Sequence, residues 1–382
     1  SGGAEGATAM LGTIASSMIT IAGVVFSMTL VALSLASSQL GPRLLRNFMT
    51  DKANQVVLGT FVSTFLYSLI VLRSIRRADE GLFVPQLSVA FAVLLAVASL
   101  GVLVYFIHHV AVSIQADTVV ARVGAELSDG IDRLFPEGIG KGMHNHAEPN
   151  DFAGDCCVIG ASRDGYVQLI DGDALLALAV EKDLVLQVAR RPGHFVVKDS
   201  PLVLAWPGNQ IDDQTKDQIN AAFVLGSNRT PVQDVEFAVN QLVEIAVRAL
   251  SPGINDPFTA VACVDRLGAA LARLAQRDMP LPCRHDEENT LRVITPATAF
   301  ADMADAAFDQ IRQYARSSAA VTIRLLETIE VIAQFAYRAE DRAALHRHAE
   351  MIMRGSLDGL PEKDDRRAVQ QRFEKAMRSL GR

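Results

Sequence analysis

The chain has 382 residues, 50% of them hydrophobic, and its 43 acids outnumber its 36 bases to give a net charge of −7. An acidic balance excludes a protein that meets nucleic acid through a general excess of Lys and Arg. Four cysteines (Cys156, Cys157, Cys263, Cys283) with no CxxC pair exclude a disulfide-stapled secreted fold and offer no structural zinc pattern.

The charges are unevenly spread. Residues 1–116 hold four acids and six bases, and the remainder holds 39 acids and 30 bases. Residues 6–42, 53–72 and 81–116 carry no charged side chain at all. About 20 apolar residues cross a bilayer core, and one Lys, Arg or Asp at mid-span costs about 2.5–3.5 kcal/mol. The three runs predict spans over 10–37, 56–72 and 87–110, within a transmembrane domain covering 1–115. No acid or base falls inside a span, which counts against an ion-coupled pump. The loops after the first two spans carry three bases each, so the positive-inside rule does not orient the chain. Few, unpaired cysteines in the later residues fit a reducing cytosol.

The first span is chemically unusual. Thr13, Thr20, Ser27 and Ser34 recur every seven residues, and a straight helix drifts only about 20° per heptad, so they share one stripe. Ser16, Ser17 and Ser38 join it at helical spacing, Val24 and Val31 interrupt it, and Met18, Val25 and Leu33 take the opposite face. Two readings are open. Small hydroxyl residues let helices approach closely and bond to one another. Alternatively, copies arranged around an axis would line a pore with Thr13, Ser17, Thr20, Ser27, Ser34 and Ser38, with Val24 and Val31 as apolar rings that gate by dewetting. The second span has a shorter polar face of Thr60, Ser63, Thr64, Tyr67 and Ser68. His108 and His109 close the third span beside Tyr105, as interfacial anchors do.

Residues 116–150 read as an amphipathic connector helix, ended by Phe135-Pro136-Glu137-Gly138, and a loop. His144, His146 and Glu148 in that loop are read as solvated, since no fourth ligand accompanies them. Residues 151–207 read as a small mixed α/β domain: strand 166–170, a helix over 174–181 capped by Asp173, strand 184–190, an Arg191-Pro192-Gly193 turn into 194–197, and strand 202–206. Cys156-Cys157 is taken as two buried small residues, and Lys198 as a surface residue.

Residues 208–382 read as a helical domain. Thr230-Pro231-Val232-Gln233 has the form of a capping box opening a helix to about residue 250. Along one face of that helix Glu236, Asn240, Glu244 and Arg248 step by four. The corner Ser251-Pro252-Gly253-Ile254-Asn255-Asp256-Pro257 follows, with Asp256 as the N-cap and Pro257 as the first residue of the next helix. Asn255, Asp256 and Thr259 are thereby expected beside the Glu/Asn row as a polar pocket, or else as a plain helix corner. Helices are expected over 301–314 and 320–337, His346, His348 and Glu350 on a solvated charged face, and a charged, loose tail after Gly359.

The segments ALSPGINDPFTA, SMITIAGVVFSMTLVALSLASSQLGPRLLRNF, VVLGTFVSTFLYSLIVL and YFIHHVAVSIQ together resemble the bacterial domain-of-unknown-function 2254 family of integral membrane proteins. The resemblance covers nearly the whole chain. It implies a multi-pass region in the inner membrane, commonly with one further helix upstream, and a cytoplasmic C-terminal domain; it implies no activity.

The chain has no Walker loop, GxGxxG turn, GxSxG elbow, HExxH helix or EF-hand loop, so an enzyme is disfavoured. The fold expected is a multi-pass α-helical membrane domain followed by a soluble α+β unit and an all-α helical domain. The expected partners are the lipid bilayer and further copies of the chain, with no nucleic acid, no metal and no cofactor; any small-molecule or ion ligand is left open. The leading functional expectation is a homo-oligomeric channel lined by the first span. A membrane-anchored sensor or scaffold using the helix corner is the alternative, and a membrane-bound enzyme the second alternative.

Overall fold

The computed structural model describes residues 3–41, 52–75, 84–135, 155–296 and 298–381. The chain divides into two compact units between Val119 and Val120.

The first unit consists of α1 (Ala4–Leu40), α2 (Lys52–Ser74) and α3 (Gln86–Ser113). All three are long and apolar enough to cross a membrane, and each extends the span expected from its charge-free run at both ends. Met18, Ala22 and Val25 of α1 pack with Val57 and Phe61 of α2 and Phe106 of α3. Leu11, Val71 and Ala92 make a second cluster. Early α1 thus meets late α2 and early α3, so the helices run up, down and up. Lipid tails are as apolar as leucine, so close packing and polar contacts hold such a bundle together. Two contacts of this kind are present. The buried hydroxyls of Thr64 and Ser99 lie 3.3 Å apart, and the Tyr67 hydroxyl donates to the Ser88 carbonyl over 3.2 Å.

The second unit begins within α4 (Ala116–Leu134). Val120, Val123, Leu127 and Ile131 are buried at helical spacing, which is the amphipathic pattern read from the sequence. Strands β1 (Cys157–Gly160), β2 (Gly165–Ile170), β3 (Val185–Val188), β4 (Phe195–Val196) and β5 (Pro201–Trp206) follow, with α5 (Gly172–Glu181) between β2 and β3. Next come α6 (Asp213–Ala221), β6 (Phe223–Gly226), α7 (Val235–Ala249), α8 (Pro257–Ala275), β7 (Cys283–His285) and β8 (Leu291–Ile294). Four helices complete the unit: α9 (Phe300–Ala315), α10 (Ala319–Ala333), α11 (Ala339–Gly359) and α12 (Lys363–Leu380).

One sheet has the order β1-β5-β3-β8-β7 and the other β4-β2-β6. Their core includes Val167, Leu175, Leu184, Leu186, Leu202, Val203, Ile219 and Val293. Several expectations are corrected here. The Arg191-Pro192-Gly193 turn does not fold β4 back on β3: β4 pairs antiparallel with β2, and β3 pairs with β5 and, in parallel, with β8. The stretch 208–382 is not all helical. Its strands β6, β7 and β8 complete the two sheets begun before residue 207, so residues 120–382 cluster as one unit in place of three successive pieces. Asp171, not Asp173, caps α5. Cys156 is exposed. The tail after Gly359 is the helix α12, which buries Val369, Ala376 and Leu380.

The helices pack around Leu242, Ile245, Leu267, Phe308, Ile311, Leu325, Ile329 and Ile352, all buried. Gly268 shows how close α8 and α10 come: a β-carbon there would run into Thr328 Cγ2. α4 lies along α8. Asp132 accepts from Arg273 Nε at 2.5 Å and from Arg277 Nη2 at 2.7 Å. Arg133 donates to the carbonyls of Pro231 and Val232.

Candidate functional site

Three groups of side chains compete for function, and the membrane stripe is the first. On α1, Thr13, Thr20, Val24, Ser27, Val31, Ser34 and Ser38 are exposed and Ser17 is half-buried, whereas Leu11, Ala15, Met18, Ala22 and Val25 are buried against α2 and α3. The stripe therefore faces away from the rest of its own bundle, and packing within the chain does not account for it. Part of its polarity is met locally: Thr13 Oγ1 donates to the Ala9 carbonyl at 2.8 Å, Thr20 Oγ1 to Ser16 at 2.7 Å, and Ser38 Oγ to Leu35 at 2.9 Å. Such back-bonding lets a hydroxyl face lipid at small cost and still offer its lone pairs to water.

The same bundle carries two recesses. An open groove of about 470 Å³ runs along Val56, Gly59, Thr60, Ser63, Thr64 and Tyr67 of α2, beside Leu95 of α3. A cavity of about 20 Å³ lies between Thr29 and Leu33 of α1, Asn54 of α2 and His109 and Ser113 of α3. It has room for one water. The Asn54 Oδ1 is buried there without a hydrogen-bond partner among the described residues, and Ser113 Oγ sits 3.4 Å from His109 Nε2. His109 also stacks on Tyr105 at 5.7 Å.

The second group is the helix corner. Asp256 is the N-cap of α8 and Pro257 its first residue, as the sequence indicates. The Asp256 carboxylate accepts from the backbone N–H groups of Phe258 and Thr259, both at 3.1 Å, and from Thr259 Oγ1 at 2.5 Å. The Thr259 hydroxyl, with those N–H groups, holds the Asp256 carboxyl below the usual carboxylate range. Asn255 adopts a left-handed φ of 51°, and the Asp256 N–H closes the corner on the Ala249 carbonyl at 2.7 Å.

The expected pocket does not assemble as one. Glu236 sits at the opposite end of α7, about 20 Å from the corner by the helical rise of 1.5 Å per residue. Asn240 Nδ2 donates to Glu236 Oε1 at 3.3 Å. Glu244 and Arg248 pair with each other at 3.5 Å partway along the helix. The row thus divides into a Glu236–Asn240 end and an Asn255–Asp256–Thr259 end.

The third group was not legible in the sequence. Arg191, in the turn between β3 and β4, reaches three partners: Glu236 Oε2 at 3.2 Å, Asp302 Oδ2 at 3.3 Å and His194 Nε2 at 3.1 Å. Arg229 forms a two-pronged pair with Asp234 at 2.8 and 3.0 Å and approaches Glu236 Oε1 at 3.6 Å. Asp234 is buried and also accepts from the Phe237 N–H as the N-cap of α7. Gly193 is required beneath this pair. Its φ is +91°, and a β-carbon would strike Asp234 Oδ2 and Arg229. Burial, together with the Arg191 charge, lowers the His194 pKa, so the imidazole accepts from Arg191 in its neutral form. Partners 45 to 111 positions apart in the chain meet here; the Arg-Pro-Gly-His turn was the available signal.

His348 is a further correction. It lies on the buried face of α11, fully excluded from solvent, and its Nε2 donates to Asp305 Oδ1 at 2.7 Å beside the Phe308 ring. His346 and Glu350 remain partly exposed, as expected. Among the described residues no three His, Cys, Asp or Glu side chains gather as metal ligands. His144, His146 and Glu148 lie outside the described residues.

The family model described as "Predicted membrane protein (DUF2254)" matches residues 1–331. The chain is 32% identical over 372 residues to the uncharacterized protein Rv1290c of Mycobacterium tuberculosis and, to the same extent, to the uncharacterized protein Mb1321c of Mycobacterium bovis. Each alignment covers 95% of this chain and 70% of the relative. No solved structure matches the chain. Three long apolar helices, the helix corner and a family match over most of the length lead to one conclusion: the chain belongs to the DUF2254 family of membrane proteins.

Proposed function

We propose that the protein is a homo-oligomeric channel of the bacterial inner membrane, with α1 around the axis and the second unit acting as a cytosolic regulatory part. The observation that supports it is the orientation of the stripe. Thr13, Ser17, Thr20, Ser27, Ser34 and Ser38 occupy the side of α1 that its own bundle leaves uncovered, and Val24 and Val31 interrupt them. Around an axis the hydroxyls offer rungs of polar groups to water, and the valines form constrictions that open and close by wetting. The absence of charge from all three spans suits passive conduction better than coupled transport. The test is flux through the purified full chain in liposomes, with its copy number measured in the same preparation. Ser27→Leu should reduce flux and Val31→Ser should increase it. A single-copy particle, or a flux that neither substitution alters, refutes the channel.

A second reading, a membrane-anchored sensor or scaffold, is favoured by the Arg191–Glu236–Asp302 junction between the β-rich and helical parts of the second unit. A ligand or partner that competes for Arg191 would loosen that junction. Arg191→Ala with unchanged binding of every partner recovered with the full chain argues against it.

A further inference from the structure

Inside the three-helix bundle, the apolar cluster around Val25, Val57, Phe106 and Val110 gives way within one turn to polar side chains. Thr29 of α1 comes four residues after Val25, Asn54 of α2 three before Val57, and Ser113 of α3 three after Val110. All three line the cavity of about 20 Å³, with Leu33 and Ile114 among its apolar walls. The hydrogen-bonding capacity gathered there is one-sided. Asn54 Oδ1 is buried and meets no donor among the described residues. The Thr29 hydroxyl gives its proton to the Val25 carbonyl at 2.8 Å, so only its lone pairs remain to offer. Two acceptors thus border one cavity, and neither can satisfy the other. Within a bilayer no bulk water is at hand to correct this, and polar groups must be satisfied internally.

We propose that this cavity binds one ordered water, which donates one proton to Asn54 Oδ1 and the other to Thr29 Oγ1 and so joins α1 to α2. The Ser113 hydroxyl of α3 completes its shell: Ser113 Oγ lies 3.4 Å from His109 Nε2, and with the imidazole as donor in that contact the Ser113 proton is left for the water. Size and chemistry agree, since a buried water makes about three hydrogen bonds and the cavity has room for one. A small cation would also find oxygens here. No acid lines the cavity, however, and Lys52 lies two residues before Asn54, so a buried positive charge would have nothing to balance it. A neutral molecule with two donors meets the need that a cation does not. The inference concerns the interior of the bundle and holds whether or not the protein conducts ions.

The experiment uses the full chain in phosphatidylcholine nanodiscs. Short X-ray pulses split bound water as well as bulk water, and the hydroxyl radicals oxidise the side chains beside it, which peptide mass spectrometry reads out. Leu33 and Ile114 should be oxidised in the parent protein. The yield at both should fall severalfold in Asn54→Leu and in Thr29→Val, each of which removes one acceptor at nearly constant volume. Melting temperature separates a wet cavity from a dry one. With water bound, Asn54→Leu breaks the link between helices and lowers it; around a dry cavity the same change removes an orphaned oxygen and raises it. Exchanging sodium for choline at constant ionic strength should leave the parent's melting temperature where it was. Unoxidised Leu33 and Ile114, yields that survive the substitutions, a raised melting temperature in Asn54→Leu, or a sodium-dependent one in the parent each overturn the proposal. If Asn54→Leu fails to fold, the footprint of Thr29→Val, the milder change, decides alone.

Discussion

Asp256→Ala separates a structural corner from a binding pocket. Alanine removes the acceptor for the Phe258 and Thr259 N–H groups and for the Thr259 hydroxyl. Loss of an Asp N-cap costs about 1 kcal/mol. Thr259 is buried, so its orphaned hydroxyl adds a penalty of about 1 kcal/mol, the low end for an unsatisfied buried group. The sum is about 2 kcal/mol; at about 2–4 °C per kcal/mol for a unit of this size, the melting temperature falls by about 4–8 °C. Scanning fluorimetry of the detergent-solubilised full chain reads this directly. Asp256→Asn keeps an oxygen acceptor, and Asn caps as well as Asp, so it should stay close to the parent. The sign with pH follows from the lowered pKa of Asp256. Its contribution is present above the ordinary aspartate value of about 3.9 and is lost as pH falls through the lower folded value. The Ala penalty should therefore shrink only in strong acid. If Asn proves as damaging as Ala at neutral pH, the capping account fails and a charge-dependent role for Asp256 takes its place.

Three further outcomes follow from the same contacts. Gly268→Ala should cost about 1–3 kcal/mol by overpacking α8 against α10, and adding Thr328→Ser, which removes the obstructing methyl, should recover much of it in a urea titration; no recovery contradicts the close approach. Asp132→Ala removes the carboxylate that Arg273 and the mostly buried Arg277 share and should speed amide exchange along α4 without changing exchange in α12. Burial lowers the His348 pKa despite the Asp305 bond, so the unfolded chain takes up the proton first. Stability is therefore unaffected above the ordinary histidine value of about 6.5 and declines as pH drops from there toward the folded value. His348→Gln, which keeps a donor for Asp305, should flatten that decline in acid melting curves.

The sequence was most informative where one residue type decides alone. Charge-free runs leave a helix no choice but an apolar setting, and three apolar helices long enough to cross a membrane cover those runs, with longer ends. The Asp256–Pro257 start of α8 is equally local, because side chain, backbone and missing N–H act within one turn. The Thr230 capping box failed because its fourth member is used elsewhere. Gln233 accepts from the Ile170 N–H at 2.8 Å and donates to the Ile170 carbonyl at 3.1 Å, binding the end of β2. Thr230 Oγ1 is left buried without a partner among the described residues, and α7 starts later, at Val235, under Asp234. No local pattern records that a glutamine is claimed by a strand 63 positions away.

His348 shows a signal that was present but outweighed. The flanking Arg342, Arg347 and Arg354 suggested a solvated face, yet Ala344, Leu345, His348, Ala349 and Ile352 keep the three- and four-residue spacing of a buried stripe. Periodicity was the better guide, since it reports which face a helix turns inward, whereas a count of neighbouring charges mixes both faces. The same rule bears on α1. Its buried face of Leu11, Ala15, Met18, Ala22 and Val25 and its hydroxyl face are two sides of one periodic pattern, so the bundle that consumes the first necessarily presents the second outward. Any account of this protein therefore needs something outside the three helices, whether water in a pore, another copy or lipid, to meet Ser27 and Ser34. Flux and copy number measured together decide which of these it is.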